Sequence, residues 1–74
     1  MKKRSVSIHG HATSVALEPE FWDEVDSAAK ADDLSVSGLI RQLDDKRLIE
    51  APHQGLASYI RVWALSRLRS NSLR

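Results

Sequence analysis

At 74 residues the chain is one thin domain whose own core is marginal, and without cysteine it has no disulfide or thiolate metal site to staple it. Sharing a core with a second copy is the remaining solution. No run approaches the roughly 18 consecutive apolar residues that span a bilayer, and no apolar segment follows the basic start Met1-Lys2-Lys3-Arg4 as in a signal peptide; the expected compartment is cytoplasmic. The formal net charge of +1 conceals a segregation. Residues 1–17 carry Lys2, Lys3 and Arg4 and no acid, residues 18–50 hold all ten acids, and residues 51–74 carry Arg61, Arg67, Arg69 and Arg74, again with no acid. Both ends therefore favour a polyanion, and the middle must face away from one.

Two strand-like runs come first. Val6 and Ile8 alternate with Ser5, Ser7 and His9, and residues 12–17 place Val15 and Leu17 on one face and Ala12, Ser14 and Ala16 on the other. The apolar positions are even in the first run and odd in the second. A bulge or turn at His9-Gly10-His11 reconciles them, with glycine supplying unusual backbone angles. One bent strand, a hairpin and a loose arm all fit this pattern.

A first helix is predicted over residues 19–31. Pro19 suits the first helical position, and Glu18, Glu20, Asp23 and Glu24 complement the positive end of the helix dipole. Trp22, Val25 and Ala29 share one face, with Phe21 and Ala28 beside them, until Asp32-Asp33 breaks the pattern. The second helix opens on Ser35, whose hydroxyl suits the amide of Ser37 or Gly38. Leu34 and Leu39 have the spacing of a hydrophobic staple, and Val36, Leu39, Ile40 and Leu43 form the stripe. It runs to about Arg47 or Leu48, and Pro52 stops any continuation. After the linker His53-Gln54-Gly55, a third helix is predicted over residues 56–68. Leu56, Tyr59, Ile60, Trp63 and Ala64 make one stripe, Val62 and Leu65 lie on a neighbouring face, and the tail after Arg69 frays. The chain divides into a basic arm or extra strand (1–11), a strand-helix-helix unit (12–50), and a linker with the C-terminal helix (51–74).

Candidate chemistry is sparse. His9 and His11 at i, i+2, with His53 distant, lack the cysteines or nearby carboxylate of a metal set, and ordinary polar residues at a bend explain them. Asp32-Asp33 and Asp44-Asp45 read as solvated turn and helix surface, because adjacent helical residues diverge. No serine–histidine spacing suggests a nucleophile with its base. Trp63 with Arg61 and Arg67 reads as a packing helix with outward arginines rather than a membrane-surface element. No enzyme, metal or cofactor is expected.

The order strand, acidic-capped helix, tight turn, Ser-capped helix resembles the ribbon-helix-helix superfamily of Arc and MetJ, in a subfamily with a longer N-terminus and an extra C-terminal helix. The residues that carry the resemblance are Arg4-Ser5-Val6, Gly10-His11, Thr13-Ser14, Glu18-Pro19-Glu20-Phe21-Trp22, Leu34-Ser35-Val36-Ser37 and Leu56-Ala57-Ser58. It implies a mainly helical fold with one short strand per subunit, in an intertwined homodimer whose paired strands enter the DNA major groove. On that geometry Val15, Leu17, Trp22, Val25, Leu39, Ile40 and Leu43 form the dimer core, and Ala12, Ser14 and Ala16 face the bases. Ser35 and Ser37 meet a phosphate at the second helix's start, joined by Lys2, Lys3 and Arg4. A serine-rich helix start is by itself a ready anion site. Two of the three base-facing positions are alanine, a departure from the long polar side chains usual there; alanine touches a thymine methyl but makes no hydrogen bond to a base. The expected function is a DNA-binding repressor of transcription acting on double-stranded DNA. The rival is a protein-interaction module on the same scaffold, an adaptor or antitoxin-like subunit, binding a partner protein through the C-terminal helix or the Val6/Ile8 segment.

Overall fold

A computed structural model describes residues 1–72. Five elements follow in order: β1 (Lys2–Ile8), β2 (His11–Leu17), α1 (Pro19–Ala31), α2 (Val36–Glu50) and α3 (Leu56–Ser72). The mainly helical class and the extra C-terminal helix are as expected. The ribbon differs. It contains two strands of one chain, β1 running antiparallel to β2 from Lys2↔Leu17 to Ile8↔His11, where one strand per chain was expected. His9 (φ 50°) and Gly10 (φ 80°) explain the closure, because a two-residue loop with positive φ at both positions matches the right-handed twist of its strands. Such a loop pairs even positions of β1 with odd positions of β2. The opposite parity of the two runs is therefore the signature of a hairpin, and both apolar sets fall on one face.

The helix ends follow from local chemistry. Pro19 opens α1. At the other end Asp33 takes a left-handed conformation (φ 56°), while the amides of Asp33 and Leu34 return to the carbonyls of Lys30 and Ala29. That double return satisfies the last carbonyls and turns the chain sharply into α2. The α2 cap is as anticipated: the Ser35 hydroxyl accepts the Gly38 amide at 3.0 Å. Glycine suits that position, since a Cβ there would stand 3.1 Å from the same hydroxyl oxygen. Helix α2 continues to Glu50, slightly beyond the expected end, before Pro52. Half-buried Arg47 then holds the linker, donating to Asp44 Oδ1 and to the Gln54 carbonyl, each at 2.9 Å. Helix α3 reaches Ser72, so residues 70–72 of the expected frayed tail are helical; the rest of that tail lies outside the described residues.

The hairpin lies with one face on the helices. Strand β1 packs on α2, β2 packs on α3, and α1 contacts both of the other helices. Val6, Ile8, Val15 and Leu17 meet Trp22, Val25, Ala28, Ala29, Leu39, Ile40, Leu43 and Ile60 in one core. The seven residues expected in a dimer's shared core are all buried within this single chain. Folding β1 onto β2 supplies the extra apolar layer that makes this possible. Val6 and Ile8 are buried as well, so of the two segments the rival reading offered for a partner protein, the C-terminal helix is the one left exposed.

Candidate nucleic-acid interface

The face of the hairpin turned away from the helices is built mostly of small side chains, serine and alanine. Register and alternation place Lys3 opposite Ala16, Ser5 opposite Ser14 and Ser7 opposite Ala12 on it. Lys3, Ser5, Ser7, Ala12 and Ser14 are exposed, and Ala16 is half-buried. Ala12, Ser14 and Ala16 thus lie together on one outward face, as the β2 alternation required. Lys3, Ser5 and Ser7 join them from β1, and no base-facing role had been read for these three. The signal that could have found them is the parity offset, which a two-residue loop converts directly into a shared face.

The start of α2 adjoins this face. The Ser7 backbone amide, on β1, donates to Ser37 Oγ at 3.0 Å. Among the described residues, no protein acceptor meets the amides of Val36 and Ser37 in the first turn. Unmet amides at the positive end of a helix dipole favour an anion. Ser35 serves that turn as its cap. The Ser37 hydroxyl accepts from β1 and keeps its own proton for an outside acceptor.

The basic start of the chain does not act as one unit. Lys2 and Lys3 are exposed strand residues, and the Lys2 carbonyl accepts the indole N–H of Trp22 at 2.8 Å. Arg4, expected on phosphate, faces the helices instead. Its guanidinium forms a fork on Asp26, with contacts of 2.7 and 3.1 Å, and lies 4.5 Å from the centroid of the Trp22 ring. The Asp26 hydrogen bond, reinforced by the charges of Asp26 and Asp23, raises the Arg4 pKa above its ordinary value. The reason for this placement is its even position, which in the hairpin belongs to the packed face.

The same pairing governs the basic end of the chain. Arg61 donates to Glu18 at 2.8 Å, and Arg67 pairs with Glu24. The Arg61 hydrogen bond, helped by a backbone hydrogen bond within Glu18, lowers that carboxyl's pKa. The acidic middle and basic ends are therefore mutual partners across α1 and α3. Among the described residues, Lys2, Lys3, Lys30, Arg41, Lys46 and Arg69 make no such ion pair.

Of the histidines, His9 at the hairpin tip lies 2.8 Å from Asp45 of α2. Among the described residues, no group of three or more His, Cys, Asp or Glu is gathered as a metal site. A groove between the end of α2 and α3 is lined by Glu50, Gln54, Tyr59, Val62, Trp63 and Ser66. There Tyr59 donates its hydroxyl to Glu50 at 2.9 Å. Burial, then that hydrogen bond, raises the tyrosine's pKa. Leu48, Ile49, Val62, Leu65 and Leu68 remain exposed. No helix among the described residues is long and apolar enough to cross a membrane.

A two-stranded ribbon over a helical layer, with an anion-ready helix start at its side, defines a β-ribbon module of the strand-helix-helix class. The chain belongs to the ribbon-helix-helix domain family, whose model matches residues 1–68. Comparison with curated proteins and with solved structures finds no match.

Proposed function

We propose that the chain is a non-catalytic, cytoplasmic DNA-binding regulator, a repressor by site occupancy, that lays the outer face of its ribbon in the major groove of duplex DNA. One observation carries this reading: the small-residue face of the hairpin is continuous, through the Ser7–Ser37 contact at 3.0 Å, with the start of α2. A major groove about 12 Å wide admits a two-stranded ribbon, and a helix start at the ribbon's side is placed to hold a flanking phosphate. Family membership supports the same reading, since ribbon-helix-helix proteins are typically DNA-binding regulators or antitoxins. The working unit is a homodimer, which doubles the phosphate contacts. Its seam is the exposed apolar surface of Ile49, Val62, Leu65 and Leu68, which no described segment covers.

The test is fluorescence anisotropy with a mixed-sequence duplex at two salt concentrations, after sedimentation has established the assembly state. Phosphate contacts make affinity fall steeply with salt. Ser35→Asp sharpens the result, because aspartate caps a helix as well as serine does while opposing a phosphate. It should keep the fold and weaken binding to every sequence; unchanged affinity would remove α2 from the interface. A second reading, an adaptor or antitoxin-like subunit that holds a partner protein on α3, is favoured by the same exposed apolar residues. It predicts no duplex binding even at low salt.

A further inference from the structure

We infer that two copies of the chain pack α3 against α3, antiparallel, with each copy's Arg69 entering the other's groove between α2 and α3. The inference rests on the proposed homodimer and gives its seam a geometry. Ser58, Val62, Leu65 and Arg69 are all exposed, and their spacing of four, three and four residues sets them in one stripe along α3. Ile60 and Ala64 are buried on the opposite side. The middle of the stripe is apolar, and Val62 also lines the groove. Leu48 and Ile49 are exposed on the last turn of α2, which ends in Glu50 at the same groove.

Charge selects the occupant. Glu50 stands in the groove with Tyr59 and Trp63 and accepts the Tyr59 hydroxyl through one oxygen at 2.9 Å. Among the described residues no cation pairs with it. Two aromatic rings beside a carboxylate suit a guanidinium, which stacks on aromatic faces and donates in a fork to carboxylates. Arg69 is the matching group, exposed at the end of the stripe and without a carboxylate among the described residues. The other two described arginines of α3, Arg61 and Arg67, are already held by Glu18 and Glu24.

Direction follows from the same charges. A parallel pair would set Arg69 beside Arg69 and Glu50 beside Glu50. An antiparallel pair, with its two-fold axis between Val62 and Leu65, sets Val62 against the second copy's Leu65. It also sets Ser58 against the second copy's Arg69. Ser58 accepts the Gln54 side-chain amide at 3.2 Å, and Gln54 lines the groove with Glu50, so the arginine arrives at the groove's edge. Two-fold symmetry repeats the contact, and both copies gain it at once. No ribbon residue takes part, so this seam is separate from any pairing of strands between subunits.

The experiment is sedimentation equilibrium without DNA, over a range of concentrations. It compares the full chain, Glu50→Arg, Arg69→Glu and an equal mixture of the two variants, after circular dichroism establishes that each is folded. Glu50→Arg brings arginine against arginine at both grooves, and Arg69→Glu brings glutamate against glutamate. Each alone should weaken self-association about tenfold or more. In the mixture a chain of one kind meets a chain of the other, every groove regains one arginine and one glutamate, and association should return close to wild-type strength. Two results overturn this seam while leaving a homodimer joined elsewhere: single variants that associate as tightly as a dimeric wild type, or a mixture as weak as its components. A wild type that stays monomeric throughout overturns the homodimer and this inference together, and leaves α3 to a partner protein.

Discussion

The two faces of the hairpin are made from the same two strands and have opposite duties. The inner face carries Val6, Ile8, Val15 and Leu17, each buried against the helices, with Arg4 clamped between Asp26 and Trp22. The outer face carries three serines, two alanines and a lysine, none fully buried. On the inner face each side chain is specified by what it packs against. On the outer face packing specifies nothing, so composition there is free to answer to a ligand. A narrow, small-residue ribbon suits close approach to another surface. The difference separates residues that hold the fold from residues available for recognition, and it divides neighbours such as Lys3 and Arg4 that look alike in the sequence.

The strongest challenge to that division is Trp22→Ala. It removes a fully buried ring, the platform under Arg4 and the indole bond to the Lys2 carbonyl. Urea denaturation should show a loss of about 3–5 kcal/mol, enough to unfold most of a domain this small. A loss under 1 kcal/mol would mean that the inner face is not the core. Gly10→Ala probes the link between the faces. A Cβ there meets nothing within 4 Å, so its effect isolates the left-handed backbone at φ 80°. The expected cost is about 1–2 kcal/mol, read as a lower thermal midpoint. A neutral result would count against the positive-φ loop and so against a shared face. The smallest effect on stability belongs to the outer face: Ser5→Ala combined with Ser14→Ala should change unfolding free energy by no more than about 0.5 kcal/mol. A large stability loss from this pair would show that the outer face is structural after all.

Much of the architecture was legible residue by residue. Pro19 and the acidic first turn located α1, whose bounds agree with the expectation. The Leu34-Ser35 junction located α2, and the α3 stripe was right in its members: Ile60 and Ala64 are buried, while Val62 and Leu65 are exposed. These features are local, set by caps, proline and helical periodicity. The hairpin was half legible. The two runs and the turn between them were visible, but the length of the loop decides the pairing, and His9 is not the asparagine or aspartate that usually marks the first position of such a turn. The placement of Arg4 on Asp26 and Trp22 was hidden for the same reason: without the pairing, its face could not be assigned.

The sequence alone determined the elements, their ends and the apolar sets, because hydrogen-bond geometry and side-chain periodicity act within a few residues. It also determined that charge is segregated along the chain. Only the tertiary structure decided where that charge goes. Arg4, Arg61 and Arg67 reach acids 22 and 43 residues away, so three arginines of the basic ends tie the ribbon and α3 to Asp26, Glu18 and Glu24. The folding of β1 onto β2 was likewise a tertiary outcome. Burying Val6 and Ile8 with Val15 and Leu17 gives one short chain a core, and leaves Lys3 on the opposite face.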